Sequence, residues 1–155
     1  MSYNSVEFSK YIISRLNIFK ASDNKYEYDN TKIQKLLYIL YGFYWSNRQL
    51  RLLDEQPKLW PYGPVFPKVY KHIKKNGFEF NFQNVKPNQQ DIDFFDSILK
   101  TCGALRAGKL SNWSHSKGSP WDKAREREIK NYGETKWIDP LDDEEIREYF
   151  SKFTF

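Results

Sequence analysis

The sequence is short of residues that staple, ligate or anchor a protein. Cys102 is the only cysteine among 155 residues, so no disulfide can form within the chain, and a reducing compartment is expected. With only His72 and His115 beside it, the ligand set of a structural zinc site is missing, and neither a metal nor a cofactor is expected. Long apolar runs are missing too: nothing approaches the roughly 18 to 20 residues that span a bilayer. The opening MSYNSVEFSK lacks the charged and apolar segments of a signal peptide. These gaps predict an unexported cytoplasmic protein without a membrane partner. A dominant charge of one sign is also lacking, since 25 cations against 20 anions leave a formal +5. Such a mixed surface suits an acidic protein or nucleic acid without requiring either.

Aromatic residues are what the chain has in excess: 12 Phe, 11 Tyr and 5 Trp. A core built from so many rings leaves some at the surface, where Tyr and Trp favour interfaces, and this points to a binding protein. The length predicts a single domain over 1–155. Its most apolar stretch, Leu36 to Trp45, reads LLYILYGFYW. A helix apolar nearly all round is a central one, so a buried helix is expected over about 31–46. Gly42 lies inside it at a cost of about 1 kcal/mol against Ala, which implies a close crossing by another segment. The WPYGPV segment, Trp60 to Val65, is the expected crossing partner.

Local signals mark the remaining elements. Asn4 with Glu7, Thr31 with Gln34, Asn88 with Asp91 and Asp142 with Glu145 have the spacing of helix starts. Pro67 and Pro120 suit first helical positions, the latter after a capping Ser119, and a short helix is expected around Leu105 to Trp113. Turn residues at Asp54–Pro57 suggest a hairpin between Leu50–Leu53 and Lys58–Trp60. The alternation of Phe78, Phe80 and Phe82 suggests a third strand. Pro61, Gly63, Pro64 and Pro67 argue against regular structure between them, and polar Glu126–Lys136 is expected to be mobile. The whole predicts a mainly α (α+β) domain: a compact bundle of about five or six helices around the central one, with a small β-hairpin or three-stranded sheet.

Three blocks in order carry a family resemblance: TKIQKLLYILYGFYW (31–45), WPYGPVFPKVYKHIKKNG (60–77) and LSNWSHSKGSPWDKAR (110–125), followed by an acidic terminal helix ending EEIREYF. Together they resemble the Panacea antitoxin domain, the SocA-like and phage-associated GepA-like family, over about Thr31 to Phe150. The resemblance implies a mostly helical domain, typically encoded beside a toxin in bacteria, prophages or phages, that neutralises this cognate protein toxin by direct contact. It implies no catalysis; the assembled form is left open between a toxin–antitoxin hetero-complex and a homo-oligomer. Trp113 and Ser114 depart from it, standing where relatives often have an aliphatic residue and Thr before the His.

Residues suited to partner contact are Trp60, Tyr62, Val65, Phe66, Tyr70, Lys71, Trp113, His115 and Trp121. Trp60 to Tyr70 is read either as a turn that only places the next helix or as a loop carrying Tyr62, Val65 and Phe66 as an aromatic rim. His115 and Trp121 are read either as a helix start, with the His satisfying a carbonyl and the Trp filling a gap, or as a partner-facing pair. No catalytic residue is expected. Cys102 lies on an apolar stripe that suppresses thiol reactivity, and Asp91, Asp93 and Asp96 look like solvated helix charges rather than a carboxylate pair. The basic helix Lys68–Lys75 with Tyr70 leaves a nucleic-acid-binding or phage regulatory role as the alternative.

Overall fold

A helix can begin where a side-chain oxygen takes up a backbone N–H that the first turn leaves unpaired. In the computed structural model, which describes residues 2–153, Asn4 does this for α1 (Ser5–Lys20) and Asp29 for α2 (Asn30–Arg48). The hairpin β1 (Lys58–Trp60) and β2 (Gly63–Val65) follows. Pro67 occupies the first position of α3 (Pro67–Asn76), and Asn88 caps α4 (Gln89–Cys102). The short α5 (Ala107–Ser114) starts without a side-chain cap. Ser119 caps α6 (Pro120–Tyr132) and Asp142 caps α7 (Asp143–Ser151). The domain is therefore mainly α with a small antiparallel hairpin, as expected, and has seven α-helices among the described residues rather than five or six.

Helix α2 is the axis. Every residue from Lys32 to Tyr44 is buried, with α7 and α5 its principal neighbours, α1, α3 and α4 around it, and α6 outside against α7 and β1. Leu36, Leu37, Leu40 and Tyr41 have no exposed surface, and each buried aliphatic side chain contributes about 1.5 to 3 kcal/mol. Polar groups at the C-terminal end fasten the neighbours. Tyr44 donates to Asp91 of α4 at 3.2 Å, Tyr41 donates to Asp143 of α7 at 2.7 Å, and the Trp45 indole donates to the Asp143 carbonyl at 2.8 Å.

Several local expectations are corrected. The crossing at Gly42 is made by α7, not by WPYGPV: a Cβ on Gly42 would overlap the ring of Phe150. Asp29, not Thr31, caps α2, which frees Gln34 for another bond. Leu50–Leu53 does not form the hairpin with β1, because its backbone is taken by the N-terminus: Tyr3 donates to the Leu52 carbonyl and Asp54 to the Tyr3 carbonyl. The hairpin instead turns at Pro61–Tyr62 and pairs Leu59 with Pro64. Its two prolines are accommodated because β2 has only β1 as a strand neighbour. Phe78, Phe80 and Phe82 lie in an irregular segment, where Phe78 packs on Tyr28 and Phe82 on Tyr11 while no ladder forms. Asp91 and Asp96 are not solvated charges but pair with Arg48 and Arg15.

The segment expected to be mobile, Glu126–Lys136, is largely α6 and is anchored by its own carboxylate. Glu128 is fully buried and accepts the backbone N–H groups of Lys136, Trp137, Ile138 and Asp139 at 2.7, 2.8, 3.0 and 2.7 Å. They hold Trp137 at a φ of 62°, a conformation unfavourable for a bulky residue.

Candidate functional site

Three buried polar residues of α2, Lys32, Gln34 and Lys35, have no solvent face on which to place their polar ends. Each therefore needs a partner inside the protein. The Lys32 ammonium donates to the carbonyls of Lys25 and Glu27. The other two reach the strap formed by residues 60–66. Gln34 accepts the Phe66 N–H at 2.9 Å, and Lys35 donates to the Pro64 carbonyl at 2.9 Å. From α5, Ser111 donates to the Tyr62 carbonyl, and from α6 the Trp121 indole donates to the Trp60 carbonyl at 2.8 Å. Side chains of three helices thus hold four backbone groups of one strap.

Gly63 lies at the turn of this strap with φ 117°, and a Cβ there would come within 2.6 Å of Ser114 Oγ and 2.8 Å of Lys35 Cε. Only glycine meets both the dihedral and the space. The consequence is a rigid tip that lifts one ring into solvent: Tyr62 is 77% exposed. Beside it, Trp60 meets Tyr70 edge to face at 5.1 Å, and His115 lies against Trp121 at 5.2 Å. Trp121 lies tilted against Trp137 at 6.1 Å, with the Arg125 guanidinium 5.9 Å from the Trp121 ring. His115 packs its ring on Trp121, and among the described residues that ring makes no hydrogen bond to a backbone carbonyl.

The structure does not bring all nine expected contact residues together. Trp60, Tyr62, Tyr70, His115 and Trp121 belong to the strap and its supports, but Trp121 is 7% exposed and fills a gap beneath the strap rather than facing a partner. Val65 and Phe66 do not form a rim: they are 5% and 0% exposed, because β2 lies directly on α2 and Phe66 packs against Tyr41. Lys71 is exposed on α3. Trp113 points elsewhere, into rings of α7 and its C-terminal end, Tyr149, Phe150 and Phe153. Reasoning from sequence missed Gln34, Lys35, Ser111, Glu128 and Trp137. The signal available for the first two was a helix apolar on every face that nonetheless contains Lys, Gln and Lys.

Lys35 is a buried cation that donates to the Pro64 carbonyl, and burial pushes its ammonium down to about 8. Its folded-state value lies below its unfolded value of 10.5, so the unfolded chain binds more protons between the two. Stability from this group therefore rises with pH across that window. The wild type should gain roughly 1 to 2 kcal/mol relative to Lys35→Met between about pH 8 and pH 9.5. Urea denaturation of both proteins across that range checks this, parallel curves being the contrary result.

Among the described residues no helix is long and apolar enough to cross a membrane, and no group of three His, Cys, Asp or Glu side chains could hold a metal ion. Residues 33–122, which include most of α2, the strap and the start of α6, match the family model described as antitoxin SocA-like, Panacea domain. The chain is also similar to antitoxin SocA of Caulobacter vibrioides (strain NA1000 / CB15N), with 28% identity over an alignment covering 71% of this chain and 66% of that relative. It thus spans just under two thirds of the relative's length. No solved structure matches the chain.

Proposed function

The chain belongs to the SocA-like Panacea domain family of antitoxins, and from that premise we propose that it neutralises a cognate protein toxin by direct, stoichiometric binding. The observation that carries this reading is the strap: Tyr62, 77% exposed, on a turn held by hydrogen bonds from α2, α5 and α6. A bulky aromatic on an immobile backbone loses little entropy on association, which is the property of an interface anchor. Lys68, Lys71, Lys74 and Lys75 are exposed on the adjoining α3. Such cations speed encounter with an acidic surface and orient it.

On this reading the protein acts in the cytoplasm, alongside the toxin, and without catalysis. A non-catalytic role is supported at Cys102, where burial pushes the thiol up to about 11, far from the thiolate a nucleophile requires. The experiment is genetic and biochemical together. A reading frame beside this one is expected to encode a growth inhibitor, co-expression should restore growth, and the two proteins should co-purify at a fixed ratio. A toxin that stays lethal in the presence of folded protein would overturn the proposal.

A further inference from the structure

Helix α5 has two working sides. Ser111 and Ser114 face the strap, whereas Lys109, Leu110 and Trp113 line a groove on the other side. This groove has a volume of about 270 Å³ and almost wholly apolar walls, to which Ile39 and Phe43 of α2, Cys102 and Phe153 also contribute. Its size admits a few side chains but not a flat surface. Among the described residues Lys109 is the one charged residue lining it, and Arg106 stands one turn away at the start of α5. Both are exposed, and neither enters an ion pair among the described residues. An apolar slot with the exposed Lys109 in its wall and Arg106 one turn along the same helix is complementary to an apolar segment flanked by carboxylates.

We propose that this groove seats an acid-flanked amphipathic helix of the protein toxin, with apolar side chains inserted between α2, α5 and Phe153 and carboxylates set against Lys109 and Arg106. This rests on the reading of the chain as a toxin-binding protein and adds a second anchor, separated from the Tyr62 tip by α5. Division of an interface between a rigid aromatic tip and an apolar slot gives the partner two points of attachment. Correct docking then requires both to be matched at once.

The test uses the whole protein and two fluorescein-labelled helical peptides presenting Leu at i, i+4 and i+7, one flanked by Glu and its twin by Lys. Anisotropy should show the Glu-flanked peptide binding about tenfold or more tighter than its twin, a preference that Lys109→Glu with Arg106→Glu should reverse. Both substitutions are at exposed positions, so an unchanged Tm certifies the fold. In the spectrum of the five tryptophan indoles, the signal assigned to Trp113 through Trp113→Phe should shift while those of Trp60 and Trp121 stay in place. No binding, equal binding of the twins, a shift at Trp121 instead of Trp113, or association of the protein with phosphatidylglycerol vesicles rather than with the peptide would each overturn the proposal. Growth assays separate this from the functional reading. Equal rescue by wild type and by the double charge variant overturns the groove and leaves the antitoxin role standing. Failure of the wild type to rescue overturns that role, and the peptide titration still decides what the groove accepts.

Discussion

Glu128→Ala should lower the unfolding free energy by about 3 to 5 kcal/mol, because it removes a buried carboxylate and orphans the backbone donors it serves. Four consecutive N–H groups, from Lys136 to Asp139, end on its two oxygens. Glu128→Gln should recover only a part, since its amide offers one acceptor oxygen where two are used and turns N–H donors toward N–H donors. The same contacts set a pH dependence. Burial by itself would raise the carboxyl, but the four backbone donors reverse this and hold it below its ordinary 4.5. With the folded value depressed, the stabilisation is fully present above the unfolded value and is lost as pH falls through the folded one. The gap between wild type and Glu128→Ala should therefore be widest near neutrality and narrow under acid below about pH 4. Urea denaturation at both pH values checks it, and equal stability at neutral pH would show that the loop does not depend on the carboxylate.

The second large effect is expected at the crossing of α2 and α7. Phe150 has no exposed surface, its ring packs edge to face with Tyr38 and Phe43, and it occupies the space over Gly42. Phe150→Ala should cost about 3 to 5 kcal/mol as a core truncation. Gly42→Ala should cost about 1 to 3 kcal/mol through overpacking, despite the helix propensity of about 1 kcal/mol that alanine adds. The informative comparison is the pair. Once Phe150 is alanine, the added methyl at Gly42 meets open space, so the double variant should be more stable than the sum of the singles predicts. Thermal denaturation of the four proteins tests it, and strict additivity would mean the ring and the glycine do not meet.

These two sites show how far the sequence could be read. The starts of α1, α4, α6 and α7 were legible because a cap and its target are three residues apart, and that pairing survives any tertiary context. At Gly42 the need for a close neighbour was legible, but the neighbour was not. Phe150 lies far along the chain, and an amphipathic terminal helix offers several rings that could have filled the place. Lys32, Gln34 and Lys35 carried half of a message: an all-buried helix must satisfy them, yet nothing local says that Gln34 and Lys35 hold the strap. The first two family blocks, KIQKLLY and WPYGPVF, are thus joined physically, each supplying what the other lacks. Val65 and Phe66 were misread because a Pro- and Gly-rich segment suggests an exposed loop, whereas this one runs across the central helix. The Phe78–Phe82 alternation misled for the opposite reason, its rings finding Tyr28 and Tyr11 without a strand to pair with.

The reading of the strap as the toxin-binding surface stands or falls on whether its tip meets the toxin. Tyr62 is exposed and its backbone is held by groups other than its ring, so Tyr62→Ala should leave Tm unchanged. Titration calorimetry of the purified neighbouring toxin into wild type and Tyr62→Ala is the direct measurement. A single stoichiometric isotherm for the wild type, weakened by about 2 kcal/mol or more in the variant, is the expected result. Equal affinity of the two proteins, or no heat of binding with either, would contradict it.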